Sequence, residues 1–451
     1  MTSTPPSNGR FSAVSKIAPE RLGVLFVILL VWLGFEFGRP PNAFKIPMMI
    51  SIVSFAAWGV RSRKQWTPQS WGFLALLAAM AAGVPFAENT YAAYRTTTAM
   101  AVMFLCVCLP LQSLVTTVRR VRVWIYTFLA VAGYVGVFAV FHGGYGPSGA
   151  AGAQDENYVA ALMGMAIPLA YFPLFVEKRP AVRALFIAAI IIFVGAIALG
   201  ENPSRGGFVG LCAVALYCLA RSPRKALGLT VFLVGGAALL VLAGPAFWAE
   251  IRTSTDLQTG TANMRLEIWK IGVRMWKENP LIGVGPDNFR WVIGFFQSPE
   301  QWVKFDRSLA GSIIPHSLPV ELLSELGIVG VLAAGGLIGW TWVGLGKVRT
   351  ALSRRGNPVR DDPAAAELRC YADAVRGGIL AIMVNGVFLS LLYYSHVWLL
   401  VAVGSAVPFV YASLAPHPNP VPESAPTPRP RAKRGPSPIL VGQSAWRSRR
   451  S

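Results

Sequence analysis

Apolar positions in this chain fall in continuous runs. They neither alternate with polar positions nor form narrow stripes. Runs lie near 22–38, 43–60, 70–86, 97–116, 122–141, 157–176, 181–200, 206–220, 226–245, 317–346, 375–392 and 396–414. A helix needs roughly 18 or more such residues to cross a ~30 Å hydrocarbon core, and most of the runs approach that length. A transmembrane β-strand would alternate apolar and polar residues, so the runs predict helices. The run 317–346 exceeds a straight crossing, so part of it tilts or projects. Residues 246–315 break the pattern with helix signals and many tryptophans, and are expected to fold against a membrane face. Residues 415–451 are rich in Pro, Ser, Arg and Lys and read as a disordered basic tail. Such a tail suits contact with anionic lipid.

Composition supports lipid as the solvent. The chain is 54% hydrophobic and 14% charged, where a soluble domain carries about 25% charged residues. The net charge of +20 would by itself suggest nucleic acid, but its distribution argues otherwise. With the N-terminus inside, the short cytoplasmic loops hold Arg61, Arg63 and Lys64; Arg119, Arg120 and Arg122; Lys178, Arg179 and Arg183; and Arg221, Arg224 and Lys225. Roughly 29 of the 41 Lys and Arg fall inside, and most of the others sit in the long outer loop, which hardly weighs on orientation. The charge is therefore a topology signal, and no nucleic-acid partner is expected.

The fold class expected is an all-α polytopic membrane protein of about 12 transmembrane helices with a large, partly helical periplasmic loop. Its parts are a cytoplasmic segment 1–20, a membrane domain 21–245 (spans 1–9), a periplasmic loop 246–315 with an amphipathic helix, a second membrane part 316–414 (spans 10–12) and a cytoplasmic tail 415–451. The inner bacterial membrane is the expected location, with both termini cytoplasmic. The polar N-terminus runs straight into a full-length span, unlike a cleaved signal peptide. Cys106, Cys108, Cys212 and Cys218 lie in apolar runs and Cys370 in a basic loop; none has metal-ligand spacing with a histidine, and no disulfide framework is implied. No metal and no cofactor is expected.

Three places carry candidate chemistry. In Glu201-Asn-Pro-Ser-Arg-Gly-Gly207, Arg205 stands where an outer helix begins. Free N–H groups and the helix dipole attract anions there, and a guanidinium can complete a phosphate site. The alternative is an arginine that snorkels at a helix end. In the amphipathic stretch 263–277, Lys270, Arg274, Lys277 and Glu267 gather on one face, but Arg265 falls inside the apolar arc near Trp269 and Trp276. A charge there is costly unless paired, so either an anion meets it or the side chain bends back to water. In Ile314-Pro-His-Ser-Leu-Pro-Val-Glu-Leu-Leu-Ser-Glu325, Ser317 and Pro319 signal a helix start. His316 then lies at the membrane boundary, suited to be a general base or a plain polar anchor. Glu321 and Glu325 follow on one helix face at membrane depth, where carboxylates are functional suspects. Asp155 reads as a helix cap, Asn385 as an interhelical hydrogen-bonding group, and His142 and His396 as span-end residues without an evident partner.

The order of these pieces resembles the bacterial O-antigen ligase and O-antigen polymerase superfamily. The motifs are Ser204-Arg205-Gly206, Arg265-Leu-Glu-Ile-Trp269, Asn279-Pro-Leu-Ile-Gly-Val-Gly285, Pro315-His316-Ser317 and Leu323-Ser-Glu-Leu-Gly-Ile-Val-Gly330, within about 157–330. The resemblance implies a membrane glycosyltransferase of the C type, which takes a glycan from undecaprenyl diphosphate without nucleotide sugar or metal. It implies that Arg205 and Arg265 hold the donor diphosphate and that His316 activates the acceptor hydroxyl. Ser204, Trp269, Glu321 and Glu325 are further substrate-binding candidates. The family often has His-Asn where this chain has His316-Ser317. Expected partners are the lipid-linked donor, lipid A core or a growing glycan as acceptor, and membrane lipid. Ligation to lipid A core, polymerisation and transfer to protein stay open within the family. Outside it stand a polysaccharide flippase or transporter, which would line its midplane with charge, and an envelope scaffold.

Overall fold

A computed structural model of the chain describes residues 22–37, 45–60, 64–148, 154–199, 204–252, 260–305, 308–311 and 313–414. The expected N-terminal segment, the basic tail and Glu201–Pro203 lie outside the described residues. Each expected span is matched by a helix. The first half holds α1 (Val24–Phe37), α2 (Lys45–Val60), α3 (Pro68–Gly83), α4 (Thr90–Ala101) continuing through a π-helical stretch at Val102–Cys108 into α5 (Leu109–Leu114), α6 (Val118–Phe141), α7 (Glu156–Tyr171) and α8 (Pro180–Ala198). Then come α9 (Arg205–Arg221), α10 (Lys225–Leu242), the loop helices α11 (Pro245–Arg252), α12 (Gly260–Glu278), α13 (Phe289–Val292) and α14 (Pro299–Phe305), and finally α15 (Leu318–Ser353), α16 (Pro363–Gly386) and α17 (Ser395–Leu414). Among the described residues, seven helical stretches are long and apolar enough to cross a membrane by length and composition, and Val24–Phe37, Ile46–Val60 and Lys225–Val241 are shorter apolar ones. No strand occurs among the described residues. The protein is an all-α multi-pass membrane protein.

The bundle is organised around α7, whose whole apolar window is buried inside the protein. It packs against α8, α9 and α16, while α15 packs against α3, α16 and α17. The π-helical stretch just precedes Pro110. A proline lacks the N–H and crowds the preceding turn, so a continuous α-helix is disfavoured there.

Two helices depart from expectation. The run expected at 375–392 is instead α16, which starts at Pro363 and carries Glu367, Arg369, Asp373 and Arg376. Charges hid its first turns from an apolar reading. The two carboxylates are accommodated by neighbours: Arg122 of α6 bonds Glu367, and Arg349 Nε of α15 bonds Asp373 at 2.9 Å. The connection to α15 is thus shorter than the expected loop 347–374, and Cys370 is buried in helix. At the other end, Val387–Leu392 is apolar but not helical. Side chains satisfy its backbone, with the Leu392 N–H donating to Glu321 Oε2 at 3.1 Å and Trp398 Nε1 donating to the Leu392 carbonyl at 2.7 Å. Backbone at membrane depth persists outside a helix when protein replaces the missing bonds.

The long run expected near 317–346 is broken in an unexpected way. Gly327 has φ 61° and ψ −161°, so α15 consists of two helices meeting at this residue. A helix break frees carbonyls on one side and N–H groups on the other. The turn after α12 takes up both sets. Val284 and Gly285 donate to the Ser324 and Glu325 carbonyls at 2.8 and 3.0 Å, and Ile328 and Val329 donate to Pro280 and Leu281 at 2.9 and 3.2 Å. The motifs 279–285 and 323–330 are therefore two halves of one joint. A Cβ on Gly283 would lie 2.3 Å from the Glu325 carbonyl carbon, and one on Gly327 would lie 2.4 Å from the Leu281 backbone. The Gly327 backbone region is essentially reserved for glycine. Gly327→Ala should therefore cost more than about 2 kcal/mol. The check is the thermal unfolding midpoint of the detergent-solubilised protein, and an unchanged midpoint would refute the joint.

The expected amphipathic helix is α12. Its apolar face meets protein: Ile268, Ile271 and Met275 share a small core with Val284, Phe289, Val292, Ile293, Leu309 and Ile313. At Gly272 the helix crosses α15, where an added Cβ would lie 2.4 Å from Val320.

Candidate active site at one end of the bundle

The N-termini of α7, α9 and α15 lie at one end of the bundle with the C-terminus of α16 and the 387–394 turn. Ser204 is buried and caps α9, its hydroxyl accepting from the Gly207 N–H at 3.0 Å. Arg205, half-buried, is the first residue of that helix. The glycines after it permit close packing. A Cβ on Gly206 would touch Phe388 at 3.0 Å, and one on Gly207 would meet Ala160 of α7 at 2.5 Å. The start of α9 is thereby held against both α7 and the 387–394 turn. Asp155 caps α7 as expected, accepting from the Asn157 N–H at 2.8 Å.

His316 sits between these elements. Its backbone is left-handed, φ 46°, a conformation uncommon outside glycine and found most among Asn, Asp and His. Such strain persists only where the surroundings over-determine it. Here Trp269 Nε1 donates to the Pro315 carbonyl at 2.9 Å, fixing the chain one residue before His316. On the other side Ser317 is buried at the N-cap position of α15, although its hydroxyl makes no capping bond. The His316 ring is half-buried, and its Nδ1 has no hydrogen-bond partner among the described residues. Burial first, and then the nearby Arg265 charge, hold the imidazole below its usual pKa of 6.5, with Asp155 opposing them. Arg265, half-buried one turn ahead of Trp269 on α12, is thus within electrostatic reach of His316. Arg205 arrives at the same end through different neighbours.

Glu321 and Glu325 are both buried, and their oxygens meet protein donors. Glu321 accepts from Leu392, as above. Glu325 accepts from the Asp287 N–H at 2.9 Å, the Phe289 N–H at 3.0 Å and the Tyr393 hydroxyl. The pair pins the 391–393 turn and the 287–289 turn to the first half of α15. Asp287 has φ 53° and bonds Arg290 through both oxygens, at 2.7 and 2.6 Å.

Asp287 and Tyr393 were not evident as site residues from sequence. A non-glycine beside the Gly283–Gly285 turn and a Tyr-Tyr pair before a span start were the available signals. Asn385 bonds its own helix, Nδ2 to the Ala381 carbonyl at 2.8 Å, and not another helix as expected. His142 has a partner after all, the Phe138 carbonyl at 2.8 Å from Nδ1. His396 is buried against Phe37 and Tyr394.

The arrangement offers two cations, a helix N-terminus and an imidazole held neutral, all at a bundle end. That set suits stabilising a departing anion while taking a proton from a nearby hydroxyl.

Comparison with known proteins agrees with this region of the chain. A family model described as O-antigen ligase matches residues 188–335, a window that contains Arg205, Arg265, His316, Glu321 and Glu325. The exopolysaccharide production protein ExoQ of Rhizobium meliloti (strain 1021) is 26% identical over 126 residues, which cover 28% of this chain and 28% of that protein. The chain is thus a multi-pass membrane protein whose residues 188–335 are similar to the O-antigen ligase family and which shares a distant likeness with an exopolysaccharide production protein.

Proposed function

We propose that this protein is a glycosyltransferase that moves a glycan from undecaprenyl diphosphate to an acceptor hydroxyl at the periplasmic face of the inner membrane. The observation that carries the reading is His316, held in a strained backbone with an unpartnered ring nitrogen and within electrostatic reach of Arg265. In the proposed step the acceptor oxygen attacks the anomeric carbon and gives its proton to His316. The bond from that carbon to the phosphate oxygen breaks, and the diphosphate leaves with the electron pair, its charge met by Arg205 and Arg265. Displacement from the opposite face inverts the anomeric centre. A product anomer matching the donor's would refute direct displacement.

Glu321 and Glu325 act in this reading by positioning. Their oxygens hold the turns around the site, so substrate meets those turns and not the carboxylates. Trp269 positions His316 through Pro315 and lends an aromatic wall.

Ligation is the first reading, in keeping with the matching family's description as O-antigen ligase, and lipid A core is the acceptor it proposes. Extension of a growing glycan is the second reading, favoured by the relative's name as an exopolysaccharide production protein. Reconstitution with an undecaprenyl-diphosphate-linked oligosaccharide, with and without lipid A core, separates them. A single glycan on lipid A core supports ligation, and donor-linked products that lengthen without it support polymerisation.

A pH dependence follows. The base must be neutral, and its pKa is depressed, so the acid limb of kcat/KM should fall below pH 6.5. Removing a charge that lowers the pKa moves the limb up, so Arg265→Gln shifts it toward higher pH. Asp155 acts the other way, so Asp155→Asn shifts it lower. Limbs unmoved in both variants would mean His316 is not the titrating base.

A further inference from the structure

At the opposite end of the bundle, a cavity of about 500 Å³ opens between the C-terminal ends of α9 and α15 and the flank of α16. It is lined by Arg221, Lys347, Arg349, Arg354 and Arg376, with Val343 and Gly346 between them. The carboxylate in contact with this cluster is Asp373, already bonded to Arg349 Nε at 2.9 Å. The helix from Gly327 to Lys347 rises about 30 Å, so this cavity is a bilayer's thickness from His316.

Topology explains part of the cluster, because cations collect on one side of a membrane. Helix C-termini explain another part, since Arg221 and Arg354 stand at the ends of α9 and α15. Neither accounts for Arg376. It lies within α16, is only 9% exposed, and has its guanidinium 4.3 Å from the centre of the Trp342 ring. Its Nε has no hydrogen-bond partner, and no ion pair to it is found among the described residues. A guanidinium needed for orientation alone would stay in water. Gly346 faces the guanidinium closely, and an added Cβ there would stand in van der Waals contact with it at 3.4–3.5 Å. Asp373 attracts it but is bonded by Arg349, and a buried cation that lacks an ion pair of its own is costly unless a further anion joins it.

We propose that this cavity binds the phosphate of an anionic phospholipid. Arg376 and Arg354 would grip the phosphate oxygens, because a planar guanidinium matches phosphate geometry, and Lys347 would add charge at the rim. A lipid is favoured over a soluble anion by the cavity's edge. Val343 is 51% and the neighbouring Trp340 61% exposed on α15, where hydrocarbon would lie. The ridge of Val343, Lys347 and Ala351 also borders a mostly apolar groove of about 860 Å³, lined by Gly336, Gly339 and Phe409. A headgroup in the basic cavity can thus lay an acyl chain over that ridge. Basic pockets between membrane helices recognise anionic headgroups by this combination.

The test uses the full chain in detergent, with dioleoylphosphatidylglycerol, dioleoylphosphatidylcholine or inorganic phosphate added. Retained lipid is read by native mass spectrometry and stabilisation by the unfolding midpoint. Phosphatidylglycerol should bind and raise the midpoint, with phosphatidylcholine and phosphate far weaker. Arg376→Gln should weaken that binding by at least about tenfold. The exposed-rim pair Lys347→Gln/Arg354→Gln should do the same without threatening the fold. Equal phosphatidylglycerol binding in both variants, or full stabilisation by inorganic phosphate, would overturn the proposal. Neither readout involves glycan transfer, so this result stands or falls apart from the outer site.

Discussion

Replacing His316 with asparagine is expected to lower kcat by about 10²–10⁴-fold, the usual contribution of a positioned general base. The donor KM and the unfolding midpoint should stay near wild type. Asparagine is chosen because position 316 has φ 46°, and Asn tolerates that region as His does. Alanine would mix a catalytic loss with backbone strain. The ring nitrogen Nδ1 has no hydrogen-bond partner among the described residues, so the substitution severs no bond of that atom. What is lost is a neutral base, kept so by burial and by Arg265. The measurement is glycan transfer from an undecaprenyl-diphosphate-linked donor, with fluorescence-monitored unfolding beside it. A fall of less than tenfold with an intact fold would remove His316 from the chemistry.

The second large effect concerns the two arginines. Arg205→Ala and Arg265→Ala should each lower kcat/KM by about 10²–10³-fold, the cost of losing one preorganised group on a developing anion. Arg205→Lys should recover only part of this, because an ammonium cannot bond a phosphate bidentately. The double variant should be less impaired than the product of the single effects, since both groups serve one diphosphate. Strictly multiplicative losses would mean that they act on separate species. Arg265 has a second effect to separate from the first. Its removal relaxes His316 toward a higher pKa, so activities must be compared above both acid limbs.

Much of the membrane architecture was legible because lipid imposes one rule, a continuous apolar helix, that composition reports directly. The same rule failed wherever tertiary contacts relaxed it. Asp373 paired with Arg349 let α16 start long before its apolar core. Glu321 let the apolar segment before Ser395 abandon the helix. The break at Gly327 was invisible for a related reason. Its open backbone groups are satisfied by residues 280–285, some forty positions earlier, and no local pattern encodes such a pairing. Motifs around Gly283 and Gly327 stood out as a resemblance before their joint gave them a physical meaning.

At the site, Arg265 was conspicuous because a charge in an apolar arc conflicts with its surroundings, and Arg205 because it opens a helix. Proximity of Arg265 to His316 was not legible, nor was the occupation of Glu325 by Asp287, Phe289 and Tyr393. Carboxylates at membrane depth looked like substrate ligands. In the fold they hold backbone turns, an equally good way to satisfy a buried acceptor.

The most direct test of the central claim follows the donor's diphosphate in proteoliposomes holding an undecaprenyl-diphosphate-linked oligosaccharide and an acceptor. The account predicts that undecaprenyl diphosphate accumulates in step with glycan transferred by the wild type, and that His316→Asn slows both together by about 10²–10⁴-fold. If the donor instead stays intact while crossing to the other leaflet, the protein transports the lipid-linked glycan and the proposed transfer is contradicted.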